Sequence, residues 1–334
     1  MEILHVALLG FGTVGKGVYQ TIQTHQKRLQ QLIGRRVEVS VIVIRNPHNY
    51  TDFQGSVSIE TDMKAIIENS KIDVVFEAIV GKEPAYTYLK QCIQAGKHVI
   101  TANKEMFAHH GGELMQLAQQ NQVQIGFEAT TAGGVPIIQT IKQLLQVNQI
   151  QGITAILNGT SNYILTEMRK EEISFTAALR AAQELGFAEA DPTNDIEGMD
   201  AFYKLMILCE LIFGKQPDWK SVTLTGIQGI TVDEIKKAQL EGKRIRHIAT
   251  VSIKNGNMHA HVKPCIISEG HPLFPVEGVE NAIHLQTDLV GSLTLQGPGA
   301  GSLPTASAMI EELCMLPLKP KATKEQNRHE VTTI

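Results

Sequence analysis

Val6-Ala-Leu-Leu-Gly10-Phe-Gly12-Thr-Val-Gly15-Lys-Gly17 is the stretch that decides the fold. An apolar run at 3–9 leads straight into Gly-x-Gly-x-x-Gly, and a helical pattern follows from residue 14. In a strand–turn–helix of this kind the first glycine permits the tight turn and the second lets the backbone approach a pyrophosphate. The third lets helix and strand pack closely, and the helix amides then face the phosphates. Taken alone the motif is weak, since a glycine-rich turn can match it by chance. Its position between a strand and a helix, at the head of alternating units, makes it a dinucleotide-binding loop. Gly10, Phe11, Gly12, Thr13, Val14 and Gly15 are therefore cofactor-binding candidates.

Outward from this loop, strand patterns at 3–9, 37–44, 73–79, 98–101 and 123–127 alternate with helical patterns at 14–33, 63–68, 84–95 and 112–120. That alternation predicts an α/β, doubly wound parallel sheet of the Rossmann type. The pattern breaks at 130–136, Thr-Thr-Ala-Gly-Gly-Val-Pro. Beyond it come a strand at 153–157, helices at 161–169, 175–185 and 193–213, and strands at 244–254, 258–264 and 282–286, which predict an α+β domain with its own sheet. A last helix at 303–316 is expected to return to the first domain. The division is then residues 1–130 with 303–318 as the NAD(P)-binding domain and 131–302 as the substrate domain. The polar stretch 319–334 lacks aromatic residues, cannot offset its ordering entropy, and is expected to be disordered.

Composition excludes several classes. The 334 residues are 43% hydrophobic and 19% charged with a net charge of -4, which suggests neither a nucleic-acid binder nor a polybasic membrane binder. Cys92, Cys209, Cys265 and Cys314 are widely separated, so no zinc site or disulfide framework is readable and a reducing, cytoplasmic setting is expected. The N-terminal apolar run is too short to cross a membrane and is read as a buried strand.

The cofactor type is legible after the second strand. NAD-binding loops place a carboxylate there for the ribose 2′-hydroxyl, whereas this chain has Arg45-Asn46. Arg45 suits a 2′-phosphate and tilts the reading to NADP over NAD; the alternative is a solvated loop arginine.

The substrate half carries Leu185-Gly-Phe-Ala-Glu189-Ala-Asp191-Pro192-Thr-Asn-Asp195-Ile-Glu197-Gly-Met-Asp200-Ala-Phe-Tyr-Lys204. Asp191-Pro192 reads as a helix start with an N-cap carboxylate. Ile196, Met199, Phe202, Leu205 and Leu208 then fall at helical spacing as a buried stripe. Asp200 and Lys204, four apart, would by themselves be a surface ion pair. Against that, five carboxylates occur from Glu189 to Asp200 with no basic residue among them, and a lysine one turn on can carry a proton if its surroundings tune it.

With Thr101-Ala-Asn-Lys104, Glu128-Ala-Thr-Thr-Ala-Gly-Gly-Val-Pro136 and Leu157-Asn-Gly-Thr-Ser-Asn-Tyr163 in the same order, the chain resembles homoserine dehydrogenases from about residue 3 to 316. The resemblance implies NADP(H)- or NAD(H)-dependent interconversion of L-homoserine and L-aspartate 4-semialdehyde, on the route to threonine, isoleucine and methionine. It implies that Lys204 transfers the proton, that Lys104 serves catalysis and the cofactor, and that Glu189, Asp195 and Asp200 bind substrate, Asp200 also acting in catalysis. Gly186 and Gly301 match cofactor contacts. Glu128 with the carbonyls of Thr131, Gly133 and Val135 matches a monovalent-cation loop, for sodium. Family members commonly dimerise through the second domain's sheet, so a homodimer or higher homo-oligomer is expected, with no nucleic-acid or membrane partner. Many members continue into a regulatory domain that binds amino-acid effectors; the short tail here predicts no feedback through one. Two other readings remain at this point: a dehydrogenase of another small amino-acid-like substrate, and a cofactor-binding regulator without catalysis. The presence of Lys104, Glu189, Asp200 and Lys204 together argues against the second.

Overall fold

A computed structural model describes residues 2–47, 57–254 and 256–318. The stretch 319–334 lies outside them, and with it the expectation of a disordered tail.

The first half is a parallel sheet with helices on its faces. Its strands are β1 (Ile3–Leu9), β2 (Arg36–Val43), β3 (Ser58–Glu60), β4 (Ile72–Glu77), β5 (His98–Thr101) and β6 (Ile125–Gly126), in the spatial order β3-β2-β1-β4-β5-β6. All neighbours are parallel, and the order reverses direction at β1, which creates the crevice where such sheets bind ligands. The helices are α1 (Thr13–Thr24), α2 (Gln26–Ile33), α3 (Lys64–Ile67), α4 (Ala85–Gln94) and α5 (Lys104–Gln120).

The helix pattern at 14–33 is two helices, broken at His25. Strand 123–127 shrinks to the two residues of β6 at the sheet edge. The helix expected at 112–120 starts eight residues earlier, at Lys104, with the Asn103 side chain accepting from the Met106 amide as N-cap. Gly111 and Gly112 lie inside α5, where neighbouring side chains come close. A Cβ on Gly111 would sit 2.8 Å from the Phe107 ring, and one on Gly112 would sit 3.2 Å from Glu210.

After a 3-10 turn at Glu128–Thr130, the second half comprises α6 (Ile137–Leu144), β7 (Ile150–Ile156), α7 (Gly159–Lys170), α8 (Phe175–Glu184), α9 (Thr193–Ile196), α10 (Met199–Phe213), β8 (Thr223–Leu224) and α11 (Val232–Leu240). It continues with β9 (Lys243–Lys254), β10 (Asn257–Ser268), β11 (Glu280–Thr287), β12 (Ser292–Pro298) and α12 (Ser302–Met315). The second sheet runs β12-β11-β7-β9-β10-β8, antiparallel except for the β10–β8 pair. Elements α6, α11, β3, β8 and β12 were not in the sequence reading. For α11 a signal existed, the capping box of Thr231 and Glu234. The strand β12 is an edge whose residues alternate between half-buried and exposed, so its apolar pattern is thin.

The pattern at 193–213 is two helices, because Gly198 takes the left-handed conformation (φ +88) between α9 and α10. Pro192, not Asp191, directly precedes α9; Asp191 instead accepts from the Thr193 hydroxyl (2.6 Å) and amide (3.2 Å).

Helix α12 packs on α1, with Ala306, Met309 and Leu313 sharing a core with Val6, Val18 and Ile22. A second core is continuous between the two sheets: Ala7 and Val75 join Met106 and Leu114 of α5, then Leu205 and Leu208 of α10, then Ile153 and Val251. Packing of α5 on α10 is therefore what places the starts of those helices, and the polar residues on them, next to one another.

Candidate active site

The glycine loop bends as its residue types require. Gly10 is left-handed (φ +89), and a Cβ there would lie 2.7 Å from the Ala78 carbonyl. A Cβ on Gly15 would strike the Gly10 carbonyl, whereas one on Gly12 would meet nothing within 4 Å. Two glycines thus close the turn and the middle one leaves its approach open, which fits a pyrophosphate. The N-terminus of α12 joins this place. Its N-cap is Gly301, and the Ser302 hydroxyl donates to the Thr13 carbonyl (2.9 Å), so two helix starts converge where an anion is favoured. Arg45 is exposed, two residues beyond the end of β2.

Beside this loop lies a cleft of about 340 Å³ whose walls come from both halves of the chain. Val14, Val80, Asn103 and Lys104 line one side, and Glu189, Asn194, Asp195, Asp200 and Tyr203 line the other. At its floor sits Asp200, at the first turn of α10 and only 2% exposed. One Asp200 oxygen pairs with Lys104 Nζ, and the other accepts from Lys204 Nζ at 2.8 Å. Lys204 also donates to the Leu157 carbonyl at 2.7 Å. Asn158 Nδ2 donates to Asp195 Oδ1 (2.7 Å) and to Asp200 Oδ2 (2.8 Å), while Asn158 Oδ1 accepts the Ser161 amide and caps α7.

Electrostatics follow from this arrangement. Burial pushes the Lys204 ammonium pKa down, and the Lys104 cation adds to the fall; the Asp200 carboxylate opposes both without cancelling them. Lys104, 43% exposed at its side chain, moves the other way because Asp200 faces it. Burial acts to raise the Asp200 acid, but Lys104 and Lys204 outweigh it and hold the group ionised. Asp195 is raised, by burial and by its neighbour Asp200. The Asp200–Lys204 pair is thus a buried one, and the excess of acids from Glu189 to Asp200 finds its second cation, Lys104, in the other half of the chain. Glu189 and Asp191 are exposed at the cleft mouth.

Beneath the cleft, the sequence reading missed Glu77, at the end of β4 and fully buried. It accepts from the Thr101 hydroxyl and from the Ile79 amide at 2.6 Å, and burial raises it to about 7. Thr101 Oγ in turn accepts the Asn103 amide (3.0 Å), and Asn103 Nδ2 holds the Gly81 carbonyl (2.7 Å). This chain fixes the turn that presents Lys104. The sequence signal for Glu77 is an acid at a strand's C-terminal end, and Asn158 belongs to the Leu157–Tyr163 motif.

The candidate cation loop is buried. Glu128 accepts the amides of Ile138 (2.7 Å) and Gln139 (2.9 Å), capping α6, and burial raises its acid. Thr131 and Val135 are buried, Gly133 is left-handed (φ +53), and the Val135 carbonyl accepts the Ile137 amide at 2.8 Å. Gly186, also left-handed (φ +74), lies between α8 and Glu189. No group of three or more His, Cys, Asp or Glu side chains suited to a metal exists among the described residues, and no helix there is long and apolar enough to cross a membrane.

Known proteins resemble this chain along nearly its whole length. A family model described as homoserine dehydrogenase, NAD binding domain, matches residues 10–128, and one described as homoserine dehydrogenase matches 136–314. The homoserine dehydrogenase of Bacillus subtilis is 38% identical over 94% of this chain and 72% of its own length. The NAD(+)-dependent homoserine dehydrogenase of Pseudomonas canavaninivorans is 32% identical over 96% of this chain and 97% of its own. The crystal structure of a homoserine dehydrogenase from Thiobacillus denitrificans superposes with a TM-score of 0.89 at 38% identity, covering 94% of this chain and 73% of that one. With its two sheets, its dinucleotide loop and its lysine–carboxylate cleft, the chain belongs to the homoserine dehydrogenase family: it is an NAD(P)-dependent oxidoreductase of the CH–OH group that interconverts L-homoserine and L-aspartate 4-semialdehyde in threonine, isoleucine and methionine biosynthesis.

Proposed function

We propose that Lys204 is the proton-transferring residue of this reaction and Asp200 its partner. The observation that carries this is the burial of Lys204 against Asp200 of the cleft floor, its pKa lowered, held by Asp200 Oδ2 and the Leu157 carbonyl. A lysine accepts a proton only when neutral, and desolvation beside a second cation makes the neutral form accessible. Lys204 takes the hydroxyl proton of homoserine as the C–H bond at the same carbon breaks, and returns it in reduction. A bound nicotinamide would supply the hydride acceptor. Lys104, at the cleft edge above Asp200, faces cofactor and substrate from the first half of the chain. Glu189, Asp195 and Asp200 surround the space with negative charge suited to the substrate ammonium. Replacing Lys204 by Ala is expected to abolish homoserine-dependent NADPH formation while leaving cofactor affinity nearly intact; retained turnover would overturn the assignment.

Gly10–Gly15 would hold the cofactor, with Gly186 and Gly301 as further contacts and Arg45 for a 2′-phosphate, which would favour NADP over NAD. The division into 1–130 with 303–318 and 131–302 is supported by the two separate sheets and by the seat of α12 on α1. Glu128 and the carbonyls of Thr131, Gly133 and Val135 would hold a monovalent cation, sodium. Support comes from a buried carboxyl beside hard oxygen donors, in the loop that joins the two halves. We further assign a homo-oligomeric state and a cytoplasmic setting, on the family resemblance and on the four unpaired cysteines.

A further inference from the structure

We propose that Asn158 is a positioning residue for the reaction, whose amide holds Asp195 and Asp200 at a fixed spacing and so orients Asp200 toward Lys204. This rests on the assignment of Lys204 and Asp200 above.

The geometry starts from β7, an inner strand of the second sheet. Where β7 ends, two successive residues turn polar groups to the same place: the Leu157 carbonyl accepts from Lys204, and the Asn158 side chain meets both acids. Each hydrogen of the Asn158 amide is used, one on Asp195 and one on Asp200, and its oxygen is used on the Ser161 amide. Asn158 is 5% exposed, so water does not substitute freely for these contacts.

Few side chains meet this requirement. The position needs one acceptor for the helix cap and two donors for two carboxylates. Asp caps equally well but donates nothing when ionised, and would bring a third negative charge. Ser caps but has a single hydrogen. Gln carries the same groups on a longer stem, which displaces them from the α7 amide. The buried Asp200 carboxylate raises the half-buried Asp195 beside it, and the amide counters that effect on Asp195. The other charges facing the acids are Lys104 from α5 and Lys204 from α10, with Glu189 contributing to the field at Lys104.

The test is Asn158→Asp and Asn158→Ser beside Lys204→Ala, all in the full-length enzyme. Both Asn158 variants keep a cap and Asn158→Ser adds no charge, so a merely structural role predicts wild-type kinetics from a folded Asn158→Ser enzyme. The positioning role predicts that Asn158→Asp lowers kcat/KM for L-homoserine at least 100-fold, with cofactor Kd within threefold. It also predicts that the acid limb of the pH–kcat/KM profile moves upward by about one pH unit. Asn158→Ser, with one donor, is expected to fall between. If Asn158→Asp does not fold, the same profile shift in Asn158→Ser decides. A folded variant with kcat/KM within threefold and an unmoved profile overturns the proposal. Turnover surviving in Lys204→Ala would instead sink the underlying assignment, so the two failures are distinguishable.

Discussion

Lys104 and Lys204 pair with opposite oxygens of one carboxylate, Asp200, although they begin 100 residues apart on helices from different halves of the chain. Removing Lys104 takes away a cation that lowers the Lys204 pKa and leaves Asp200 to face Lys204 alone; both changes raise it. Lys104→Met is therefore expected to move the rise of homoserine oxidation with pH toward higher pH, because Lys204 must be neutral to act as base. Aldehyde reduction, which needs protonated Lys204, would persist to higher pH. Initial rates in both directions between pH 6 and 10, ranges chosen on the order of a lysine's titration, check this; unmoved profiles would contradict the coupling.

The same carboxylate is the partner of Lys204 in the proposed proton transfer. Asp200→Asn keeps the shape but withdraws the charge that both lysines face. Loss of roughly 10²- to 10⁴-fold in kcat is expected, the size of a general acid–base contribution. Cofactor binding, measured by fluorescence titration, should change little.

Glu77 and Glu312 are buried acids whose folded pKa values rise from 4.5 to about 7. A raised acid favours the folded state while protonated: that stability is complete below about pH 4.5 and is lost as pH climbs through about 7. For Glu77 the loss amounts to roughly 3 kcal/mol once ionised. Glu77→Gln should flatten the fall of Tm between pH 5 and 8, and a slope equal to wild type would show that the group does not titrate in that window.

Arg45 stands where an acid would read the ribose of NAD. Arg45→Glu should weaken NADPH relative to NADH about tenfold or more, the worth of a charge-assisted hydrogen bond. The ratio of kcat/KM for the two cofactors is the measurement. An unchanged ratio would remove Arg45 from the site.

Cation binding at Glu128 predicts stabilisation by mass action. Tm should rise with added sodium or potassium chloride beyond the rise in tetramethylammonium chloride of equal ionic strength, and the excess should vanish in Glu128→Gln. Equal shifts in all three salts would leave Glu128 as a helix cap alone.

What the sequence by itself determined was the local chemistry. The strand 3–9 with its glycine turn, the alternation of strand and helix up to residue 130, and the run of acids ending in Lys204 all express periods and residue types that neighbours in the chain set. Burial and long-range pairing were settled only by the tertiary structure. The start of α5 at Lys104 rather than Gly112 shows only in the packed helix, where Gly112 lies against Glu210 of α10, and the Asp200–Lys204 spacing reads equally as a surface pair until both are found buried, Asp200 at the cleft floor and Lys204 paired to it. Glu77, Asn103 and Asn158 carry no periodic signal, since each is defined by partners up to 42 residues away. The physical reason is that a side chain's charge state depends on solvent exclusion and on charges within a few ångströms. Both are properties of the packed molecule, and no window of sequence contains the Lys104 that lies against Asp200.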